Sequence, residues 1–256
     1  MLNYRIIARA FAGLIGLEGL LFMVCWLVGI GYGEHHHSTW LIPIGICAAL
    51  SVILGLLGGK GPTRVERRDG FFIVAMVWLI YCALGMLPFL FGGHLHRVSE
   101  AFFETMSGFT TTGSTVFTNL DALPHSILLW RSVTHWVGGM GIIFFTLALL
   151  PALGIGEQEL FTAEATGLKL GKLHSRVSTT AHYLWSTYLL ITIACAIAYG
   201  LCGMNTFDAI NHSFATIATG GFSTHTANIA YFNSPAIEYV SVVLSLIHIS
   251  EPTRPE

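Results

Sequence analysis

The sequence predicts an all-α integral membrane protein. Two amino-terminal transmembrane helices come first, then two copies of a unit made of a span, a re-entrant helix–loop and a second span, the later copy incomplete. Three observations predict this. Hydrophobic residues make up 54% of the 256 residues and charged ones only 10%, where a soluble domain carries about 25% charged residues. Apolar stretches near the roughly 20 residues needed to cross a bilayer recur along the chain. Between them lie two short runs of threonine and glycine, each in the same position relative to the apolar segments around it.

The first run, AFFETMSGFTTTGSTV at 101–116, begins with helical composition and ends in hydroxyls around Gly113. Backbone at membrane depth finds no water to bond, so a non-helical run survives there only inside protein or along a wet cavity. By itself the segment reads equally as a threonine-rich external loop or as a re-entrant loop whose carbonyls replace the hydration shell of a cation. The second run, DAINHSFATIATGGFS at 208–223, breaks the tie. At an offset of 108 it sets Asp208 under Glu100, Ala209 under Ala101, Ile217 under Phe109, Thr219 under Thr111 and Gly221 under Gly113. Ser234 falls under Ser126 in the same register. Internal repeats decide architecture, and repeated halves of membrane transport proteins commonly hold their site where the halves meet.

Residues 1–70 hold two spans, at about 6–30 and 40–57. Glu18 lies mid-span, where an ionised side chain is costly and faces a bundle interior or a cavity. A structural hydrogen-bonding role and a place on an ion path both fit it. His35, His36 and His37 are adjacent and cannot converge on one metal, so 31–39 reads as a polar external loop. Lys60, Arg64, Arg67 and Arg68 mark the following loop as cytoplasmic.

Residues 71–153 form the first repeat. Its span, 71–91, ends near Pro88, and Ser99 or Glu100 is placed to cap a short helix. The threonine–glycine run and a polar loop at 119–126 lead to a span over 127–150, ended by Pro151. The WVGGMG stretch at 136–141 provides small residues for close helix packing. Arg131 and His135 lie near the outer end, Arg131 either anchoring the loop or snorkelling to the surface.

Residues 154–180 are the most polar in the chain and read as a cytoplasmic connector with an amphipathic helix along the inner surface. Residues 181–247 repeat the unit: a span at 181–203, the second short helix and run, an external loop at 228–234, and a span from Pro235 that stops after about a dozen residues. Residues 248–256, with two prolines and three charges, cannot complete that crossing. They are expected to be a foreign or misframed tail on a truncated chain.

With the amino terminus inside, nine lysines and arginines fall on inner segments and two on outer ones, so both runs open outward. The five cysteines all lie in apolar segments without CxxC spacing and read as buried thiols. A net charge of −2 and the lack of a basic stripe argue against nucleic-acid binding. A metal-dependent intramembrane enzyme is the contrasting reading, but His94 and His96, or His212 and His225, have no HExxH context. Neither a P-loop nor a Rossmann glycine fingerprint occurs.

FTTTGST at 109–115, WRSVTHWVGGMGI at 130–142 and ATIATGGFSTH at 215–225 resemble the translocating subunit of Trk-type potassium uptake systems, of the Trk/Ktr/HKT superfamily. LFTAEATG at 160–167 and FNSPAIEY at 232–239 are similar to that family too. The resemblance implies four helix–pore-loop–helix repeats around one pore in the cytoplasmic (inner) membrane, each giving one filter strand. It implies potassium ion as substrate, no cofactor, no enzymatic activity and membrane lipid as surroundings. A homodimer in the intact protein follows from it, as does a cytoplasmic nucleotide-binding regulatory subunit reached through 60–68 and 154–176.

Carried over, the first strand is Thr111, Thr112 and Gly113, and the second is Thr219, Gly220 and Gly221. In the family, glycine at the first filter position accompanies potassium preference, and serine there accompanies sodium in some plant relatives. Glycine lets successive carbonyls point inward uncrowded. Two strands where the family has four imply a partial subunit, which alone closes no selective pore. The alternative outcome for such a chain is a non-transporting scaffold.

Overall fold

The computed structural model describes residues 3–59, 67–152 and 177–247, and every regular element among them is helical. In chain order these are α1 (Tyr4–Gly31), α2 (Ser38–Gly58), α3 (Arg67–Gly85), α4 (Leu87–Phe91), α5 (Val98–Phe109), α6 (His125–Ala152), α7 (Val177–Leu201), α8 (Thr206–Ile217), a 3₁₀ turn (Asn228–Phe232) and α9 (Pro235–Ile247). The stretches Tyr4–Gly31, Ser38–Gly58, Phe72–Phe91 and Tyr183–Leu201 are each long and apolar enough to cross a membrane. The 28 residues of α6, at about 1.5 Å per residue, also exceed the roughly 30 Å hydrocarbon core. This is an all-α, multi-pass membrane protein.

Lipid supplies no hydrophobic drive for helices to associate, so close packing and small residues must do so. The α1–α2 hairpin shows this: a Cβ on Gly19 would stand 3.0 Å from Cys47, and one on Gly16 would stand 3.1 Å from the Ser51 hydroxyl. Ser51 donates to the Ala12 carbonyl at 2.7 Å, and Tyr81 of α3 donates to the Leu14 carbonyl at 3.0 Å. Leu50, Val52, Ile53, Leu56 and Leu57 of α2 face outward, as a lipid-facing stripe does. An aromatic core then joins five helices. Phe22 lies 4.6 Å from Trp130 and 6.0 Å from Trp40, while Phe109 packs on Trp130 at 6.1 Å and on Tyr81 at 5.4 Å. Phe109 is the last residue of α5, so this cluster fixes where the first threonine–glycine loop begins.

Several expected boundaries move. The third span is not one helix: it breaks at Met86, because Pro88 has no N–H to continue the ladder and opens α4 instead. Neither Ser99 nor Glu100 caps α5; Arg97 takes the N-cap position without a side-chain bond, and Glu100 sits in the first turn, 3.4 Å from Arg97. Pro151 does not end α6, whose backbone runs on to Ala152. The loop at 228–234 contains a 3₁₀ turn. The expected connector lies mostly outside the described residues, which resume at 177 in the first turn of α7. Lys60, Arg64 and the tail 248–256 also lie outside the described residues.

The loop with the three histidines has a structural task. Glu34 accepts from the Ser126 amide at 3.1 Å and from the Ser126 hydroxyl, placing a carboxylate on the first turn of α6. Trp40 donates to the same hydroxyl at 3.1 Å, and His37 accepts from Trp26 at 3.2 Å. Glu18 is fully buried against Gly85, and neither of its oxygens has a hydrogen-bond partner among the described residues. Of the two roles open to Glu18, the structural hydrogen bond is not made among the described residues. Cys25, Cys47, Cys82 and Cys195 are buried free thiols, and Cys202 is half-buried.

Candidate functional site

Helices α5 and α8 are both 12 residues long, and each bound of one becomes the matching bound of the other on adding 108. Their carboxyl ends are alike bond for bond. Thr110 donates to the Met106 carbonyl, Thr111 to Gly108 and Thr112 to Ser107, at 2.9, 3.0 and 3.0 Å. Ala218 donates to Phe214, Thr219 to Thr216 and Gly220 to Ala215, at 3.2, 3.0 and 2.8 Å. This is a Schellman stop, in which the residue after the cap turns left-handed and is usually glycine. Here that residue is a β-branched threonine twice over: Thr111 has φ +54° and Thr219 φ +52°. Such residues are true outliers in this region, and strain of this kind collects where the surrounding structure must hold a loop in one shape.

Two residues on, Gly113 (φ +79°) and Gly221 (φ +92°) are left-handed as well. The loops lie side by side. A Cβ on Gly113 would fall on the carbonyl oxygen of Gly220 and stand 3.6 Å from the Gly221 Cα. All six residues expected from the sequence therefore belong to one pair of touching loops. Gly220 is buried, whereas Thr112, Thr219 and Gly221 are exposed. The pair is backed by protein on one side and open on the other. A cavity of about 460 Å³ adjoins the second loop, lined by Thr216, Thr219, Gly220, Gly221 and Ser241 among others.

The loops are held by side chains that spacing alone did not assign. Glu104 of α5 accepts from the Thr115 hydroxyl at 2.9 and 3.0 Å and from the Val116 amide at 2.9 Å. It pairs with the Arg131 Nε at 2.8 Å, both side chains being buried. Arg131 also donates to the Ser223 carbonyl at 3.0 Å and to the Thr115 hydroxyl at 3.2 Å, and its guanidinium lies 4.2 Å from the Phe222 ring centre. Of the two roles open to Arg131, it takes that of anchor, and it ties the exits of both loops together.

The second unit repeats the plan with other chemistry. His212, at the place of Glu104 on adding 108, has its Nε2 3.4 Å from the Ser223 hydroxyl and 3.3 Å from that of Thr224. Thr224 donates to Asp208 at 2.6 Å. His225 spans Asp208 (3.1 Å) and Asp121 of the first unit's exit loop (2.7 Å). His212 and His225 thus serve the loop, and among the described residues no group of three His, Cys, Asp or Glu side chains is placed to hold a metal.

WVGGMG also does more than pack helices together. A Cβ on Gly138 would collide with the Phe109 carbonyl, and one on Gly139 would stand 3.0 Å from Ala218, the cap of α8. These glycines let α6 reach the carboxyl ends of both short helices.

The family described as "TrkH: Cation transport protein" matches residues 36–248. The chain belongs to the TrkH family. Among its relatives, the Trk system potassium uptake protein TrkH of Escherichia coli (strain K12) is 42% identical over 245 residues, 93% of this chain and 51% of the relative. The Trk system potassium uptake protein TrkG of the same strain is 35% identical over 247 residues, again 51% of its length. The crystal structure of the potassium transporter TrkH from Vibrio parahaemolyticus superposes with a TM-score of 0.83 at 38% identity, covering 96% of this chain and 50% of that one. The chain therefore spans about half the length of the TrkH-family relatives it matches.

Proposed function

We propose that this chain supplies two strands of a potassium-selective path, as part of a larger uptake subunit in the cytoplasmic membrane. Thr111, Thr112 and Gly113 form one strand, and Thr219, Gly220 and Gly221 the other. The observation that carries this reading is the contact of Gly113 with Gly220: two matching left-handed loops meet with the backbone of one against the backbone of the other. Carbonyls presented this way can replace an ion's hydration shell. Both strands are open on one side, so a closed path needs further strands from outside the described residues. The relatives named as potassium uptake proteins support potassium as the ion.

The amino terminus lies inside in this reading, as the placement of lysines and arginines favours. The intact protein is a homodimer regulated by a cytoplasmic nucleotide-binding subunit. No cofactor takes part and no bond is made or broken, so the protein is a transporter and not an enzyme. Rubidium flux into liposomes tests the reading, comparing this chain with a family-length protein that contains it. Potassium-selective flux from the longer protein is expected, with none from the chain alone. A longer protein that carries no potassium would overturn it, leaving a scaffold.

A further inference from the structure

His135 is fully buried on α6, one helical turn beyond Arg131, and its imidazole lies directly behind the second loop. A Cβ on Gly220 would stand 2.5 Å from its Nδ1 and 2.6 Å from its Cε1. The ring thus occupies the space that any side chain at position 220 would need. The Phe222 amide, just past Gly221, donates to Nδ1 across a long 3.4 Å, and the Phe222 ring stacks on the imidazole at 4.0 Å and 22°. An amide nitrogen can only donate, so Nδ1 must be the acceptor and the ring proton must sit on Nε2. Nε2 has no hydrogen-bond partner among the described residues. A ring held by one bond, and that bond to the loop, is oriented by the loop and in turn orients it.

We propose that His135 is a positioning residue for ion selectivity. Through its Nδ1 it fixes the peptide between Gly221 and Phe222, and with it the direction of the Gly221 carbonyl. This rests on the reading of residues 219–221 as an ion path. On adding 108, position 135 falls on Val243 of the second unit, which has no ring nitrogen to offer a neighbouring loop. The second strand thus depends on a residue belonging to the first repeat.

Nitrogen NMR of histidine-labelled chain in lipid, with His135 assigned through a substitution, should find Nδ1 unprotonated and Nε2 protonated at neutral pH. A proton on Nδ1 would overturn the proposal whatever the transport data show. In the family-length protein, His135→Asn keeps an acceptor where Nδ1 stands, His135→Phe keeps the ring without it, and His135→Gln moves the acceptor away. Losing one hydrogen bond's worth of orientation should lower the rubidium-over-sodium flux ratio about five- to tenfold in the Phe and Gln variants, with the Asn variant close to the parent. The opposite order, Phe retaining selectivity and Asn losing it, would make the ring a filler of space and sink the proposal. An unselective parent protein would instead defeat the ion-path reading, while the NMR result would still stand or fall by itself.

Discussion

The carbonyl oxygen of Gly220 stands where a Cβ on Gly113 would be. Position 113 therefore tolerates no side chain on two counts, this collision and its left-handed φ of +79°. The conformation alone costs an L-residue about 1–2 kcal/mol. Gly113→Ala, made in a family-length protein, should reduce rubidium uptake by roughly tenfold or more and let sodium through. Liposome flux with both ions reads this out, and unchanged flux and selectivity would remove Gly113 from the path.

The Glu104–Arg131 pair is buried at both ends. Removing one partner of such a pair leaves an uncompensated charge and costs about 3–5 kcal/mol. Glu104→Gln and Arg131→Met should each lower the thermal midpoint in lipid markedly. The double variant should be less destabilised than the sum of the two. Simple additivity would mean that the carboxylate and guanidinium act separately on the loops.

Thr111→Gly and Thr219→Gly remove a strained side chain from a left-handed cap. Relief of about 1–2 kcal/mol is set against about 0.5–1 kcal/mol of added chain entropy for glycine. Each variant should be as stable as the parent or slightly more so, and less selective. A clear loss of stability would show that the threonine side chains, and not the backbone turn they adopt, hold these loops.

Asp121 gives a pH signature outside the membrane. The hydrogen bond from His225, aided by the Thr226 hydroxyl, holds its carboxyl down at about 2, from an ordinary 3.8. A carboxyl depressed in the folded state adds stability above its unfolded pKa and loses it as pH falls through the folded one. The tie between the 121 and 225 loops should therefore weaken between about pH 4 and pH 2. Its effect on overall stability is small, because Asp121 is half exposed. Deuterium exchange at the Thr226 amide, which donates to Asp121 at 3.3 Å, reads the tie directly. Asp121→Asn should raise exchange at neutral pH and abolish the acid step; an unaltered acid step would place its origin elsewhere.

What could be read from the chain alone was whatever repeats with a period. Apolar length located the spans, and the offset of 108 placed α5 over α8 to the residue. It also set Thr111, Gly113, Thr219 and Gly221 in equivalent backbone states. What could not be read were contacts between residues that share no pattern. Arg131 reaches the Ser223 carbonyl 92 positions away, and His135 reaches Phe222 across 87. A carbonyl has no residue type to betray it, so nothing in the letters marks Ser223 as an acceptor. Glu18 shows a different limit: mid-span depth predicts that a carboxyl is buried, but does not choose between a hydrogen-bonding role and a place on an ion path. The break at Met86 is legible in part, since Pro88 signals that a helix ends there but not that another begins.

The buried arginine also makes the two copies non-interchangeable. Adding 108 to position 131 gives Tyr239, which is 72% exposed and carries no charge, while the partner of that arginine, Glu104, becomes His212. A gene built from two first units would present the Ser223 position with a threonine and bury a second guanidinium pair. One built from two second units would have no arginine to join the exits of the two loops. The duplication has therefore acquired a polarity, and swapping or shuffling the modules should yield chains that insert into membranes yet fail to mate their neighbouring hairpins.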